Sequence, residues 1–474
     1  METLHRLFLA WAGEPCLRAS AIGGTGASPR RYFRLHGSTH TCIGTIAPDP
    51  RENQAFFAFT RHLRAKGQPL PELYAVAPDG THYLQQDLGD RTLYSLLVEK
   101  RRQGAGFDSQ MLGLYRQALA DLASLQLAGR DLDFSLAFPR PAFDRRSMLW
   151  DLYYFKYNYL RLTAIPFDED ALEDDFLRLT DLLLTADCSL FLYRDFQGRN
   201  IMLTPEADRP LHYIDYQGGR QGAAQYDVAS FLYSAKSNLP DALRRDLLGH
   251  YLDIRQLHGS DRTRWVELYH AYALHRILQT LGAYGYRGLI QRQPYFLESI
   301  PLALANLRSL LHSQQLPIPL PELLRLADRL ADSQAAASPT APDFDGLTVS
   351  IQSFSYRRGL PSDPSGNGGG HIFDCRALPN PGRYPEYQAL TGADPQVAAF
   401  LQGQPAVATF LDHAQAIIAQ SITCYLDRRF THLSVAFGCT GGQHRSVYCA
   451  GQIARRLHEA YPQCRILLQH REQG

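Results

Sequence analysis

The pattern of apolar and polar positions along the first ninety residues is typical of a small sheet with one or two helices. Residues 1–20 have the period of an amphipathic helix, and the alternation at 31–35 and 41–47 predicts two strands. The stretch 51–67 again has a helical period, and Asp79-Gly80 is a hairpin turn between two further strands. These elements predict a small lobe at about residues 1–90.

A helical period dominates the next two hundred residues and predicts a larger lobe at about 91–330. The helix predicted at 148–162 is unusually aromatic, with Trp150, Tyr153, Tyr154 and Tyr157 on one broad face. Two interpretations stay open for it: packing in the core, or part of a wall of aromatic rings on which a sugar ring could stack. The helix and glycine turns from 270 to 289 indicate packing, and we assign no chemistry to them.

Strand patterns interrupt the helical region between residues 191 and 217. Asp195 and Asn200 lie in a polar loop after one apolar run, and Asp215 follows a second. Phosphoryl transfer from a nucleotide needs one carboxylate for the attacking hydroxyl, and an amide with a second carboxylate for magnesium. The simpler alternative is a hairpin with solvated turn carboxylates, but it does not account for the spacing of all three residues.

The composition restricts the class of protein. The 474 residues allow two or three domains, and the formal net charge of +1 gives no global basic field for nucleic acid. The eight cysteines form no C-x-x-C pair, which argues against a zinc ribbon or a disulfide scaffold. The first apolar run is too short for a signal peptide and no stretch is long enough to span a bilayer, so we expect a cytoplasmic protein without membrane contact.

A stretch rich in proline and alanine at residues 331–345 predicts a linker, followed by a second domain at 346–474. In this domain a buried strand, a glycine-rich loop and a helix follow one another around Cys439 to Arg445. Loop N–H groups and a helix N-terminus attract anions, and Arg445 adds a charge with two donors. The spacing from Cys439 to Arg445 is also that of cysteine phosphatases.

The first domain resembles the aminoglycoside phosphotransferase and choline kinase-like family through GASPRRYFRL, QDLGDRTL, YRDFQGRNIML and IDYQGGRQGAAQYDVASFL. The resemblance extends to the branch of N-acetylmuramate and N-acetylglucosamine anomeric kinases. It implies an α+β bilobal kinase-like fold, ATP and Mg²⁺ as cofactors, and an amino sugar as substrate.

The resemblance also implies roles for individual residues. Asp195 corresponds to the catalytic base, Asn200 and Asp215 to the magnesium ligands, and Asp227 to an acid that braces the catalytic loop. Residues that match nucleotide-binding positions are Ser28 in the phosphate loop and Gln86, Asp87 and Leu88 in the hinge between the lobes.

Two positions depart from the family pattern. Tyr193 stands where the family usually has histidine, and an aromatic ring can still orient the loop. Kinases hold the phosphates with a third-strand lysine paired to a helix glutamate. Glu52 can be this glutamate, but the chain has no lysine before Lys66. We therefore expect Arg31 or Arg34 to supply the charge, or else weakened nucleotide binding.

The second domain resembles the C-terminal domain of the RNase adapter protein RapZ through SFSYRRGLP, FDCRALPNP, TGADPQVAAFL and GCTGGQHRSVYCA. This resemblance implies a smaller α/β domain that binds a phosphorylated amino sugar. The implied ligand residues are Asp374, Arg376, Thr440, Gly441, Gly442, His444, Arg445 and Ser446.

Three functions follow from the sequence. The first is an ATP-dependent kinase of an N-acetylated amino sugar, modifying the anomeric hydroxyl, with a sensor domain for a sugar phosphate. The second is a pseudokinase fused to a regulatory module with a protein or RNA partner, although eleven arginines against ten acids in residues 341–474 favour RNA little. The third is a phosphatase that uses Cys439. The sequence places no general acid for this reaction, which argues against it.

Overall fold

The computed structural model describes residues 1–23, 29–163, 165–205, 210–313, 315–337, 346–361 and 370–473. These residues form two compact units, 1–337 and 338–474. Among the helices in the described part of the chain, none has both the length and the apolar character needed to cross a membrane.

The first unit begins with a five-stranded antiparallel sheet whose strand order is β1-β2-β3-β5-β4. Its strands are β1 (Arg18–Ile22), β2 (Arg31–His36), β3 (Thr41–Ile46), β4 (Leu73–Val76) and β5 (His82–Gln85). Helix α1 (Glu2–Ala12) precedes the sheet, and α2 (Pro50–Ala65) follows β3. The prediction of one helix over residues 1–20 was therefore wrong after Ala12, where Gly13 ends α1 in the left-handed conformation.

The larger lobe of the first unit is built mainly from helices around a single core. They are α3 (Leu93–Arg102), α4 (Ser109–Ala128), α5 (Arg145–Asn158), α6 (Glu169–Leu183), α7 (Ala224–Leu232), α8 (Asp241–Ile254), α9 (Gly259–Tyr284), α10 (Pro294–Leu297), α11 (Ile300–His312) and α12 (Pro321–Ala337). Four short strands pair as β6 (Leu190–Leu192) with β9 (Arg220–Gly222) and β7 (Ile201–Leu203) with β8 (Leu211–Tyr213). The two pairs frame the loop that carries Asp195.

Helix α9 approaches α5 closely at Gly282. A Cβ atom at this position would lie 2.7 Å from the backbone nitrogen of Phe155, which leaves no room for a side chain. The glycine that the sequence placed in a turn is thus a contact point between two long helices.

Helix α12 continues through Ala337, so the linker predicted at 331–345 begins too early. Leu330 and the residues before it pack in the core of the first unit, which keeps the amphipathic helix in place. Residues 338–345 lie outside the described part of the chain.

The second unit has a four-stranded parallel sheet with strand order β11-β12-β10-β13. The strands are β10 (Thr348–Ser355), β11 (Gly370–Asp374), β12 (His432–Cys439) and β13 (Arg465–His470), and the helices are α13 (Pro395–Gln402), α14 (Pro405–Asp427) and α15 (Arg445–Ala460). Strand β12 is central and buried, as parallel strands usually are. Its carboxyl end carries the glycine-rich loop, which leads directly into α15.

Candidate active site and anion loop

The three residues singled out between 191 and 217 lie together in the larger lobe. The Nδ2 of Asn200 donates to the main-chain oxygen of Asp195 at 2.9 Å and to Oδ2 of Asp215 at 3.2 Å. One amide therefore joins the loop after β6 to the residue that follows β8. Because Nδ2 makes both bonds, Oδ1 of Asn200 is the atom that can bind a cation.

Asp227 holds the backbone of this loop, as the family resemblance implied. Its carboxylate is fully buried and accepts the N–H groups of Tyr193 at 2.7 Å and Arg194 at 2.8 Å. Arg194 has a φ of 80°, in the left-handed region that residues with side chains rarely adopt. The two bonds from α7 compensate this strain and fix the direction in which Asp195 leaves the loop.

Tyr193 packs against the Asp195 loop, in the position where the family usually has histidine. The ring is buried, its hydroxyl donates to the main-chain oxygen of Ile214, and it packs edge-on against Phe196. The aromatic substitution therefore keeps an orienting role.

The charges around Asp195 favour its ionised form. Loss of water would raise its pKa, but the guanidinium of Arg276, with those of Arg199 and Arg194, holds the pKa below its ordinary value. The side chain remains 41% exposed toward the cleft. An ionised, accessible carboxylate can accept a hydrogen bond from a hydroxyl group.

The surroundings of Asp215 shift its pKa in the opposite direction from that of Asp195. The surrounding protein removes part of its water, and the nearby charge of Asp195 adds to this effect, so the pKa of Asp215 is raised. Asp215 also has a φ of 72°. A divalent cation held by this carboxylate and Oδ1 of Asn200 would relieve the repulsion between the two acids.

The donor set fits magnesium that is shared with a nucleotide. No group of three or more His, Cys, Asp or Glu side chains suited to a metal occurs among the described residues. Magnesium commonly uses one or two protein oxygens and completes its shell with phosphate oxygens and water. Asn200 and Asp215 are such a pair.

The structure brings to Glu52 an arginine that the sequence analysis did not choose. Nη2 of Arg30 lies 3.1 Å from Oε2 of Glu52, and its Nη1 donates to the hydroxyl of Tyr83 at 2.9 Å. The positive charge of Arg30 counteracts part of the rise in the pKa of Asp215, so Arg30 contributes positive charge near that carboxylate.

The two arginines that were predicted for this role lie elsewhere. Arg34 binds the carboxylates of Asp87 and Asp90 with distances of 2.6 and 2.8 Å, and Arg31 is exposed. Arg31 is the neighbour of Arg30, and neighbouring residues of an extended chain point to opposite faces. Arg34 is held instead by the carboxylates that follow β5. The sequence shows an arginine directly before the strand, but no local pattern pairs it with Glu52.

The hinge residues follow β5 as predicted, while their role in binding adenine stays a prediction. Gln86 pairs with the backbone of Glu72, and Leu88 is buried. Asp87 is held by Arg34. Ser28 lies outside the described residues.

The aromatic helix is only partly core. Phe155 is fully buried, but Trp150 and Tyr157 are 50% and 55% exposed. The ring of Trp150 instead faces the guanidinium of Arg140 at 5.9 Å. The core interpretation was therefore wrong for these two rings, and the stacking wall stays a prediction.

Arg276 is the main residue of the site that the sequence analysis missed. It lies on α9, and its Nη2 donates to Oδ1 of Asp195 at 2.8 Å. The two residues are 81 positions apart, and the apolar period of α9 gives no sign of this contact. The only sequence signal for a functional role was a charged residue, Arg276, within an apolar stretch of α9.

In the second unit the loop after β12 closes around the sulfur of Cys439. The hydroxyl of Ser446 lies 3.1 Å from it, and Cys439 as a residue is 3% exposed. Burial would raise the pKa of Cys439, but the Ser446 hydroxyl, the N–H groups of Ser446 and Gly442, and the charge of Arg445 hold it below its ordinary value. The loop thus favours negative charge at this point.

The predicted ligand side chains of this loop have structural partners. Nη1 of Arg445 donates to the main-chain oxygens of Arg376 at 2.8 Å and Leu378 at 3.2 Å. A bidentate contact with an anion would therefore use its Nε and Nη2. His444 interacts with the main-chain oxygen of Tyr387 at 2.8 Å.

Four further positions complete the predicted anion site. Asp374 and Arg376 form an exposed ion pair with a distance of 2.6 Å. The main-chain oxygen of Thr440 accepts the hydroxyl of Ser355 at 2.8 Å. A Cβ at Gly441 would contact nothing within 4 Å, so the loop has open space beside it.

Comparison with known proteins agrees with this division. Residues 21–268, more than half of the chain, match the phosphotransferase enzyme family. The chain belongs to the phosphotransferase enzyme family. Residues 347–474 match the RapZ C-terminal domain, so the second unit is a RapZ-type domain joined to a kinase-like phosphotransferase domain.

Curated relatives share only part of their length with this chain. A nucleotide-binding protein of Nitrosomonas europaea is 36% identical over 171 residues, which are 36% of this chain and 54% of the relative. One from Acidithiobacillus ferrooxidans is 40% identical over 131 residues, 28% of this chain and 42% of the relative. The chain spans about half the length of these relatives.

Solved structures similar to this chain include two small-molecule kinases. Ethanolamine kinase of Plasmodium vivax has a TM-score of 0.43 and 12% identity, and covers 62% of this chain and 84% of its own. Choline kinase LicA of Streptococcus pneumoniae has a TM-score of 0.41 and 14% identity, with coverage of 61% and 98%.

Proposed function

We propose that the first unit transfers the terminal phosphate of ATP, with Mg²⁺, to a sugar hydroxyl. The observation that carries the proposal is the single cluster in which the Asn200 amide joins Asp195 to Asp215. Asp195 accepts the hydrogen bond of the attacking hydroxyl and orients it in line with the phosphate. Asn200 and Asp215 hold the cation, which neutralises charge on the phosphates.

The anomeric hydroxyl of an N-acetylated amino sugar is the acceptor in this proposal, and the second unit binds a phosphorylated amino sugar. Support for an anion at this loop comes from the neighbours that lower the pKa of the Cys439 thiol and from the open space beside Gly441. The two resemblances thus converge on amino-sugar chemistry.

The Arg30–Glu52 pair supports an active kinase over a pseudokinase. It provides a positive charge beside Asp215 without a third-strand lysine. Arginine is always charged, and because Nη1 and Nη2 of Arg30 are bound to Tyr83 and Glu52, Arg30 would act on the phosphates through its charge. The alternative of a regulatory pseudokinase predicts that Mg-ATP leaves the melting temperature unchanged.

The test is ATP turnover over a panel of amino sugars, with wild type, Asp195→Asn and a control, Asp261→Asn, exposed at the start of α9. We expect turnover with at least one N-acetylated sugar, a loss of about 10³-fold in Asp195→Asn, and no change in the control. Turnover at background for every sugar, or an unaffected Asp195→Asn, contradicts the proposal. Phosphate release that is lost in Cys439→Ser would instead favour a phosphatase.

A further inference from the structure

The guanidinium of Arg276 has one orientation in the structure. Its Nε donates to Oγ of Ser230 at 3.1 Å and its Nη1 to the hydroxyl of Tyr226 at 3.3 Å. The remaining nitrogen, Nη2, lies 2.8 Å from Oδ1 of Asp195. The arginine side chain is 8% exposed, so these contacts are shielded from water.

The elements around Arg276 also position the catalytic loop. Ser230 and Tyr226 are on α7, the helix from which Asp227 braces the loop backbone. Arg276 itself is on α9, which is held against α5 at Gly282. The backbone and the carboxylate of the loop are thus fixed by the same pair of helices.

Contact with Arg276 occupies one oxygen of Asp195 and leaves the other. Oδ1 is held by Arg276 and is 3.5 Å from Nε2 of Gln197, while no hydrogen bond to Oδ2 is found within the described residues. The χ2 angle of an aspartate has broad minima, so the carboxylate would otherwise rotate. Fixing Oδ1 fixes the direction of Oδ2.

We propose that Arg276 is a positioning residue which, by binding Oδ1 of Asp195, turns Oδ2 toward the acceptor hydroxyl. This inference rests on the proposed phosphotransfer. It assigns to α9 a part in catalysis although Arg276 itself touches neither nucleotide nor acceptor. A misplaced carboxylate slows the chemical step, because reaction depends steeply on the alignment of the attacking group.

The experiment compares Arg276→Gln, Arg276→Lys and wild type in the full chain, with the acceptor that supports turnover. We expect kcat to fall about 10- to 100-fold in Arg276→Gln, with KM for ATP within about twofold of wild type. Arg276→Lys should recover part of kcat, because an ammonium group can still bind Oδ1. Arg262→Gln, a change at a half-buried arginine on the same helix that is bound to Asp253, should leave both constants unchanged.

Each outcome either supports or contradicts the positioning role of Arg276. Wild-type kcat in Arg276→Gln, an equal loss of kcat and of affinity for ATP, or an Arg276→Lys no better than Arg276→Gln overturns the inference alone. If Arg276→Gln does not fold, Ser230→Ala takes its place, where a threefold lower kcat with unchanged KM supports the inference and wild-type kcat overturns it. An inactive wild type overturns the proposed function and this inference together.

Discussion

The loop of Asp195 and the loop of Cys439 both follow a buried strand, yet they expose different groups. In the first unit Asp227 binds the backbone N–H groups of the Asp195 loop, so the side chains of that loop face the cleft. In the second unit the N–H groups of Gly442 and Ser446, together with the Ser446 hydroxyl at 3.1 Å, favour negative charge on the sulfur of Cys439. The first arrangement suits chemistry by side chains, and the second suits an anion held by main chain.

The two arginines nearest these loops differ in the same way. Arg276 binds the carboxylate of Asp195 and so acts on a group that faces the cleft. Arg445 donates to two main-chain oxygens and supports the turn after β11. Arg276 therefore orients a carboxylate that faces the cleft, whereas Arg445 is held by main-chain oxygens through Nη1 and leaves Nε and Nη2 for the anion predicted at this loop.

The largest expected effect is on the brace of the first loop. Asp227→Ala leaves the N–H groups of Tyr193 and Arg194 buried without a partner, and each costs about 1–3 kcal/mol. We expect the free energy of unfolding of the first unit to fall by about 3–5 kcal/mol. Urea denaturation followed by tryptophan fluorescence measures this, since Trp11, Trp150 and Trp265 all lie in the first unit. A loss below about 1 kcal/mol would show that the loop does not depend on its brace.

The same residue predicts a pH dependence for the stability of the first unit. Burial raises the pKa of Asp227 from 3.8 to about 7, despite the two N–H bonds it accepts. The folded state then binds a proton that the unfolded state has released, so stability is greatest below pH 4 and falls as the pH rises to 7. The change is on the order of a few kcal/mol.

The melting temperature of the first unit, measured at several values between pH 4 and pH 8, checks this prediction. Asp227→Asn removes the titrating group and should give a flatter curve than wild type over the same range. Parallel curves for the two proteins would mean that Asp227 does not titrate in this window.

A smaller effect is expected at the second loop. Gly442 has a φ of 71°, and a Cβ there would lie 2.5 Å from Cγ of Glu472 and 3.0 Å from the nitrogen of Ser355. Gly442→Ala should destabilise the second unit by about 1–3 kcal/mol. Gly441→Ala is the matched control, because its Cβ would meet nothing within 4 Å.

Hydrogen exchange of the second unit measures the effect of Gly442→Ala, while tryptophan fluorescence reports the first unit separately. Protection should fall only in the second unit and only in Gly442→Ala. Equal effects of the two alanine variants would argue that the loop is not shaped by its left-handed glycine.

The smallest effect concerns nucleotide binding. Arg30→Ala removes the charge beside Asp215 and should weaken the apparent affinity for Mg-ATP about tenfold, or about 1.4 kcal/mol. Arg31→Ala, the exposed neighbour, should leave the affinity unchanged. Titration of the melting temperature with Mg-ATP distinguishes the two, since a ligand that binds only the folded state raises stability. A stronger effect at Arg31 would restore the role first predicted for it.

Local patterns were enough to predict most elements and the central cluster. Asp195, Asn200 and Asp215 are close in sequence and lie on loops between short strands, so their spacing already predicts that they meet. Residues 395–402 and 406–427 likewise have a helical period, and they lie in α13 and α14.

The sequence by itself determined the order of elements, the two families and the loop residues near Asp195 and Cys439, since all of these depend on neighbours along the chain. Only the tertiary structure decided which arginines serve the site. Arg30 meets Glu52 through the register of the sheet, and Arg276 reaches Asp195 through the packing of α9. Contacts between side chains far apart in sequence depend on how helices and strands pack. The apolar period of a helix or strand predicts which face is buried, but it does not predict which residue that face contacts.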